Sequence, residues 1–137
     1  MNTQDELNEL LIITEAKYQL EQQSFQKIVT QENHLRGELA RLDELQHQAQ
    51  STTADAREMR AIGADILWQG WIGRSKSQLN LQLAKVLATK LHHLAKVQRA
   101  YGKVLVVNEL LDKTQRMVKK KQAQDTLSQA IQVSLQV

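Results

Sequence analysis

Apolar residues recur along the first third of the chain at alternating intervals of four and three residues. The spacing runs from Leu7 to Ala49, about six heptads, which favours a coiled-coil helix over an ordinary amphipathic one. The thirteen positions, nine of them apolar, are Leu7, Leu11, Thr14, Tyr18, Glu21, Phe25, Ile28, Glu32, Leu35, Leu39, Leu42, Gln46 and Ala49. We therefore predict a helix over residues 4–50.

The line of mostly apolar positions along a helix is called its seam. A second seam, with similar spacing, begins at Leu79 and predicts a helix over residues 77–122. Nine of its thirteen positions are again apolar; they are Leu79, Leu83, Val86, Lys90, Leu94, Val97, Tyr101, Val104, Asn108, Leu111, Gln115, Val118 and Gln122. In reverse order this seam matches the first, as an antiparallel pair requires. The predicted pairs are Leu11 with Val118, Thr14 with Gln115, Tyr18 with Leu111, Glu21 with Asn108, Phe25 with Val104 and Ile28 with Tyr101.

These patterns predict an all-α fold, a long two-helix antiparallel coiled-coil hairpin with a short helical head at the bend. Residues 1–137 would form a single elongated domain. The predicted head covers residues 51–76, where Ser51, Thr52 and Thr53 offer N-capping hydroxyls for a short helix over 54–69. Ile66 would lie on its apolar side, and Gly70 and Gly73 would weaken the helix near its end.

Residues 123–137 extend past the predicted pairing. Leu127, Ile131 and Leu135 fit one helical face, whereas Ile131, Val133, Leu135 and Val137 fit the alternation of a strand. Periodicity does not decide between these alternatives. An apolar tail with nothing to pack on predicts either a partner or self-association.

Composition favours long helices and argues against several classes of protein. The 137 residues include no proline and no cysteine, and aromatic residues make up 4%. Cysteine-free chains suit a reducing compartment, the polar N-terminus is not a secretory signal, and the apolar runs are too short to span a bilayer. We predict a cytoplasmic protein without direct membrane insertion.

No constellation of residues predicts catalysis, a cofactor or a metal site. The glycines lack the spacing of a phosphate-binding loop, and there is no serine elbow. His34 could approach His92 and His93 across the predicted seam, but solvated histidines are the favoured interpretation. We therefore expect a protein that is not an enzyme.

Charge is distributed unevenly along the chain. Residues 1–60 contain 11 acidic and 6 basic side chains, whereas residues 61–137 contain 4 and 12. Lys119, Lys120 and Lys121 form a basic run, with Lys113 and Arg116 nearby. A solvated helix end is favoured over an acidic protein partner, and nucleic acid comes last because no aromatic residues interleave the run.

The only tryptophans, Trp68 and Trp71, lie three residues apart and can share a helix face. They could close a small core in the head or, with Ile72, form an exposed recognition patch, since tryptophan is enriched at binding hot spots. Both functions can be combined if one ring is buried and the other exposed.

The hairpin pattern, and the head stretch from Ile62 to Trp71 with Leu79 and Asn80, resemble the FliJ/YscO group of stalk proteins from type III protein export, in particular short FliJ-like proteins of alphaproteobacteria. The resemblance in the head covers about twenty residues, whereas heptads occur in many unrelated proteins.

The resemblance implies a non-enzymatic coupling protein of the flagellar type III export apparatus, located in the cytoplasm or peripherally at the membrane export apparatus. Its paired termini would enter a hexameric export ATPase, with Lys119, Lys120, Lys121, Leu127, Ile131 and Leu135 in or near the ring. Trp68, Trp71 and Ile72 would face the export-gate protein. The alternative function is a generic coiled-coil adaptor or scaffold that self-associates.

Overall fold

Two long helices make up the structure, which is a computed structural model describing residues 2–51 and 63–136. Helix α1 spans Thr3–Ser51 and helix α2 spans Ala64–Leu135. No strand occurs within these described ranges. The helices pack against each other in antiparallel directions, so the predicted all-α helical hairpin is confirmed.

The start of α1 is capped by Asn2. The amide of Gln4 donates a hydrogen bond to Asn2 Oδ1 at 3.1 Å, and the amides of Asp5 and Glu6 donate to the Asn2 carbonyl. These bonds satisfy amides that have no partner inside the helix. The carboxylates of Asp5 and Glu6 also suit the positive end of the helix dipole. The predicted helix over residues 4–50 is confirmed.

Helix α2 is continuous from Ala64, which corrects the predicted head. Gly70 and Gly73 lie inside the helix and do not end it, so the predicted end at residue 69 and new start at residue 77 are wrong. Each glycine weakens a helix by only about 1 kcal/mol, which burial of the neighbouring Ile72 can offset. Of the predicted capping residues, Ser51 is the last residue of α1, whereas Thr52 and Thr53 lie outside the described residues, as do positions 54–62 of the predicted head helix.

Gly63 directly precedes α2 and has a positive φ of 74°. A Cβ there would meet no atom within 4 Å, so the backbone angle alone favours glycine. We expect Gly63→Ala to lower the free energy of unfolding by roughly 1–2 kcal/mol. Gly73→Ala is the matched control, because a Cβ also fits there, and it should stabilise the helix by about 1 kcal/mol. Urea denaturation followed by circular dichroism measures both; two changes of the same sign would contradict the prediction.

The seam of α1 is confirmed at every predicted position, since all thirteen residues are buried or half-buried. In α2 the prediction is correct at Leu79, Leu83, Val86, Lys90, Val97, Val104 and Leu111. It is wrong at Leu94, Tyr101, Asn108, Gln115, Val118 and Gln122, which are exposed. The structure instead places His93, Ala100, Val107 and Thr114 on the inner face. The alternation of three- and four-residue intervals between inner positions continues through His93, whereas the prediction placed the more apolar Leu94 at this position.

The pairing of the helices differs from the predicted one by two to three helical turns. The ring of Tyr18 lies 5.3 Å from the ring of Tyr101, ten residues before the predicted partner Leu111. Lys90 Nζ lies 2.7 Å from Glu32 Oε1, and Lys76 contacts Asp43 and Gln46. Heptad spacing repeats every seven residues, so apolar matching alone cannot fix the register.

The two predicted polar pairs, Thr14 with Gln115 and Glu21 with Asn108, are also wrong. Asn108 and Gln115 are exposed, and the buried Thr14 hydroxyl donates within its own helix to the carbonyls of Leu10 and Leu11. The structure instead contains a polar layer in which Lys90 of α2 donates a hydrogen bond to Glu32 of α1.

The described residues divide into two compact units, each containing part of both helices. Unit 1 comprises Met1–Gln22 and Lys96–Val137, and unit 2 comprises Gln23–Ala95. In unit 1 the buried residues are Thr14, Ala100, Val104, Val107 and Leu111. In unit 2 they are Ile28, Glu32, Leu35, Leu42, Ile72 and Leu83. That the whole chain forms a single elongated domain stays a prediction.

Candidate protein-interaction surfaces

Among the described residues, no helix lies beside the last part of α2. Thr3 lies fifteen residues before Tyr18, and Arg116 lies fifteen residues after Tyr101, so α1 begins level with Arg116. From Gln115 to Gln136 every described residue is exposed. We call residues 117–135 the tail helix; at 1.5 Å per residue it is about 28 Å long. The open choice between helix and strand is therefore settled in favour of helix.

Two exposed apolar residues of the tail helix, Leu127 and Ile131, lie on the side opposite the seam. At 100° per residue, Leu127 and Ile131 lie about 160° and 200° around the helix from the buried Leu111. Both side chains are exposed, and so is Leu135. A protein binding this stripe would therefore approach α2 from the side that faces away from α1.

The basic run at the start of the tail helix is solvent-exposed. Lys113 and Arg116 pair within the helix with Glu109 and Asp112, at 3.6 and 3.0 Å. Among the described residues no ion pair involves Lys119, Lys120 or Lys121. The three lysines therefore remain available to carboxylates of a partner.

The two tryptophans form a stacked pair on the first turns of α2. Their ring centroids are 5.2 Å apart with planes at 26°, and Trp71 is 45% exposed. Trp68 is half-buried, and its Nε1 and the Asp65 Oδ1 are buried and have no hydrogen-bond partner among the described residues. Trp68 is therefore the more covered ring and Trp71 the more accessible one, and recognition of a partner by this pair stays a prediction.

Ile72 must be removed from the predicted recognition patch. It is 1% exposed, the most deeply buried side chain of the described chain, and belongs to the core of unit 2. Ile66, predicted to face inward, is instead 72% exposed, and Leu67 beside it is also exposed. The accessible apolar surface next to the tryptophans therefore consists of Ile66, Leu67 and Trp71.

A groove beside Trp71 was not predicted from the sequence. It has a volume of about 440 Å³ and is open to solvent, and its walls include Glu38, Arg41, Leu45, Trp71 and Gln82. Its residues come from both helices, so finding it requires the register. The groove extends the accessible surface of Trp71 towards α1.

Glu32 is the buried centre of the polar layer in unit 2. Its carboxylate accepts hydrogen bonds from Lys90 at 2.7 Å and from Arg36 at 2.9 Å. These bonds, that of Lys90 first, hold the pKa of Glu32 below its ordinary value of 4.5. The carboxylate is therefore deprotonated in the folded state at neutral pH.

The lowered pKa predicts how acid acts on this layer. A depressed folded pKa stabilises the fold above the unfolded value of 4.5, and this contribution is lost as pH falls through the folded pKa. We expect Glu32→Gln to melt several degrees below the unsubstituted protein at neutral pH, with the gap closing in acid. Thermal unfolding at a series of pH values measures it. Glu15→Gln, an exposed site, should change little; a gap that does not narrow as the pH is lowered below 4.5 would contradict the prediction.

The histidines form contacts within their own helices. His34 Nε2 lies 3.0 Å from Glu38, and His93 Nδ1 lies 3.3 Å from the Thr89 carbonyl oxygen. His34 lines a groove with Gln82, Lys85 and Val86 rather than with His92 and His93. Within the described ranges no group of three potential ligands is placed to hold a metal ion.

Comparison of the chain with protein-family models, with curated proteins and with solved structures gives no match. Neither helix, over its described residues, has an apolar stretch long enough to cross a bilayer.

Proposed function

We propose that the protein is a non-enzymatic coupling protein of a bacterial flagellar type III export apparatus, which binds a hexameric export ATPase through the tail helix and the paired helix ends beside it. The observation that supports this most is the tail helix, which extends past the start of α1 with every side chain exposed. An unaccompanied helix about 10–12 Å wide fits a narrow central pore.

The tail helix offers two kinds of contact to such a ring. Lys119, Lys120 and Lys121 can pair with carboxylates, and Leu127 and Ile131 can enter apolar pockets. The two sets are consecutive along the helix, so a partner would meet charge nearest the hairpin and apolar side chains further out. In this proposal the surface of Ile66, Leu67 and Trp71 contacts the export-gate protein.

A binding experiment with purified export ATPase tests the proposal. We expect the full chain to bind the ATPase, and the double substitution Leu127→Ser with Ile131→Ser to abolish most of the binding. The matched control is Gln122→Ser with Gln129→Ser, which alters the opposite side of the same helix. Absence of binding by the unsubstituted chain, or equal loss in both variants, would overturn the proposal.

The second candidate is an adaptor that self-associates, favoured by the same exposed apolar residues of the tail. Sedimentation equilibrium separates the two. A stable dimer or tetramer that dissociates on the Leu127→Ser and Ile131→Ser substitutions supports the adaptor, whereas a monomer supports the coupling protein.

A further inference from the structure

Unit 1 has a basic groove on one side, where the two helices meet. Its residues are Lys17 and Glu21 of α1 and Lys96, Arg99, Ala100 and Lys103 of α2. Lys17 pairs with Glu21 at 3.1 Å. Among the described residues, no ion pair within 4 Å involves Lys96, Arg99 or Lys103. The groove therefore has an excess of positive charge over a small apolar floor at Ala100.

An exposed apolar strip continues this groove along the same side of unit 1. In α1, Leu10 and Ile13 lie seven and four residues before Lys17, and therefore share its helix face. In α2, Val106 and Leu110 lie three and seven residues after Lys103, and share its face for the same reason. These four side chains are between 43% and 64% exposed. The side that combines the groove with the strip is called the flank.

We propose that the flank binds an amphipathic helix of another protein, with carboxylates at one end of its binding face and aliphatic side chains at the other. The acidic half of the partner helix is inferred from charge complementarity, because Lys96, Arg99 and Lys103 can pair with its carboxylates. The apolar half of the partner helix is inferred from the four exposed aliphatic side chains of the strip, which it would cover. From Lys96 to Leu110 the flank is about 21 Å long, which matches a partner helix of about 15 residues.

A helix fits the flank better than an anionic membrane does. Two packed helices present a longitudinal groove, and a third helix fills such a groove in helical bundles. Glu21 lies within the basic half, and Glu6, four residues before Leu10, shares the face of the apolar half. Both carboxylates would repel lipid phosphates, whereas a protein can place its own charges between them.

This inference goes beyond the coupling function, because the flank lies on the paired helices and does not include the tail helix. A chain that fails to bind an export ATPase can still bind a helix on its flank. Conversely, substitutions on the flank should leave the contacts of Leu127 and Ile131 unchanged.

The experiment uses the full chain and a fluorescein-labelled synthetic helix of about 15 residues, with glutamates in one half of its face and leucines in the other. Fluorescence anisotropy should show saturable binding that weakens as salt is raised. A matched peptide with glutamine in place of each glutamate should bind at least about tenfold more weakly. Equal binding of the two peptides, or no binding of the acidic one, would overturn the proposal.

Substitutions on the flank locate the site. Arg99→Glu with Lys103→Glu, and separately Ile13→Ser with Val106→Ser, should each weaken peptide binding by about tenfold or more. The controls Lys27→Glu and Leu91→Ser make the same chemical changes at exposed positions of unit 2 and should leave affinity unchanged. Circular dichroism should show that all four variants retain their helices, since the altered side chains are exposed.

Two further measurements test the identity of the partner. Sedimentation of vesicles containing phosphatidylserine should leave the chain in the supernatant. Analytical ultracentrifugation should show no self-association that the flank substitutions remove. Binding to vesicles that depends on Arg99 and Lys103 would overturn the proposal in favour of a membrane, and flank-dependent dimerisation would overturn it in favour of a second copy.

Discussion

Replacing Ile72 with alanine is expected to lower the free energy of unfolding by about 2–5 kcal/mol, because it removes buried carbon atoms and leaves a cavity. Ile72 is the most deeply buried side chain in the described structure and lies where the core of unit 2 reaches the first turns of α2. The same region contains the stacked tryptophans, whose packing depends on α2 remaining helical through Gly70 and Gly73.

The matched control for Ile72→Ala is Ile66→Ala, the same chemical change at a site that is 72% exposed. It should alter stability by no more than about 0.5 kcal/mol. Urea denaturation, followed by tryptophan fluorescence and by circular dichroism, measures both variants. Equal losses at the two positions would show that Ile72 is not in the core, and would return it to the predicted recognition patch.

Replacing Val107 with aspartate is expected to destabilise unit 1 by at least about 3 kcal/mol, because a carboxylate would be forced into an apolar interface. Val107 is 4% exposed and lies on the inner face of α2 between Val104 and Leu111. Asn108→Asp is the control, since Asn108 is exposed and should tolerate the charge.

This pair of variants decides between two assignments of the seam. The apolar spacing in the sequence places Asn108 inside the interface and Val107 outside it, whereas the structure reverses them. Thermal unfolding monitored by circular dichroism gives the answer, because only an inward-facing aspartate should lower the melting temperature strongly. A larger effect at Asn108 than at Val107 would contradict the structure and support the seam deduced from spacing.

The sequence predicts α1 better than α2, and the reason lies in particular residues. In α1 the alternation of four- and three-residue intervals is unbroken from Leu7 to Ala49, and all thirteen positions that it predicts are buried or half-buried. In α2 apolar residues occur on several faces, as at Leu94, Leu105 and Val106. A choice of Leu94 over His93 is then enough to move the predicted seam from Val107 to Asn108.

Register depends on interactions that apolar spacing does not describe. The hydrogen bonds of Glu32 with Lys90 and of Gln46 with Lys76 join polar side chains across the interface. Each requires a particular separation along both helices, whereas leucines tolerate a shift of one heptad. A search for opposite charges at inner positions could have found the Glu32 and Lys90 pair, because both occupy predicted seam positions.

The candidate surfaces were predicted unevenly for similar reasons. The exposure of Leu127, Ile131 and Leu135 follows from chain length, since no partner segment exists for them in the predicted hairpin. The assignment of Ile72 to a surface was wrong because it assumed a head in which α2 had not yet begun. The flank was not predicted, because its α1 and α2 residues form one surface only in the register that places Lys17 and Lys103 in the same groove.

The tail helix has a thermodynamic consequence. Its backbone is held by hydrogen bonds within the helix, whereas most helical stability in proteins comes from packing against other elements, which the exposed tail helix lacks among the described residues. Hydrogen exchange should therefore be fastest here among the helical amides, because local opening needs no loss of packing. A partner that binds the tail helix must also keep it helical. Warming should therefore lower the affinity of that partner more steeply than the affinity of one that binds the paired helices.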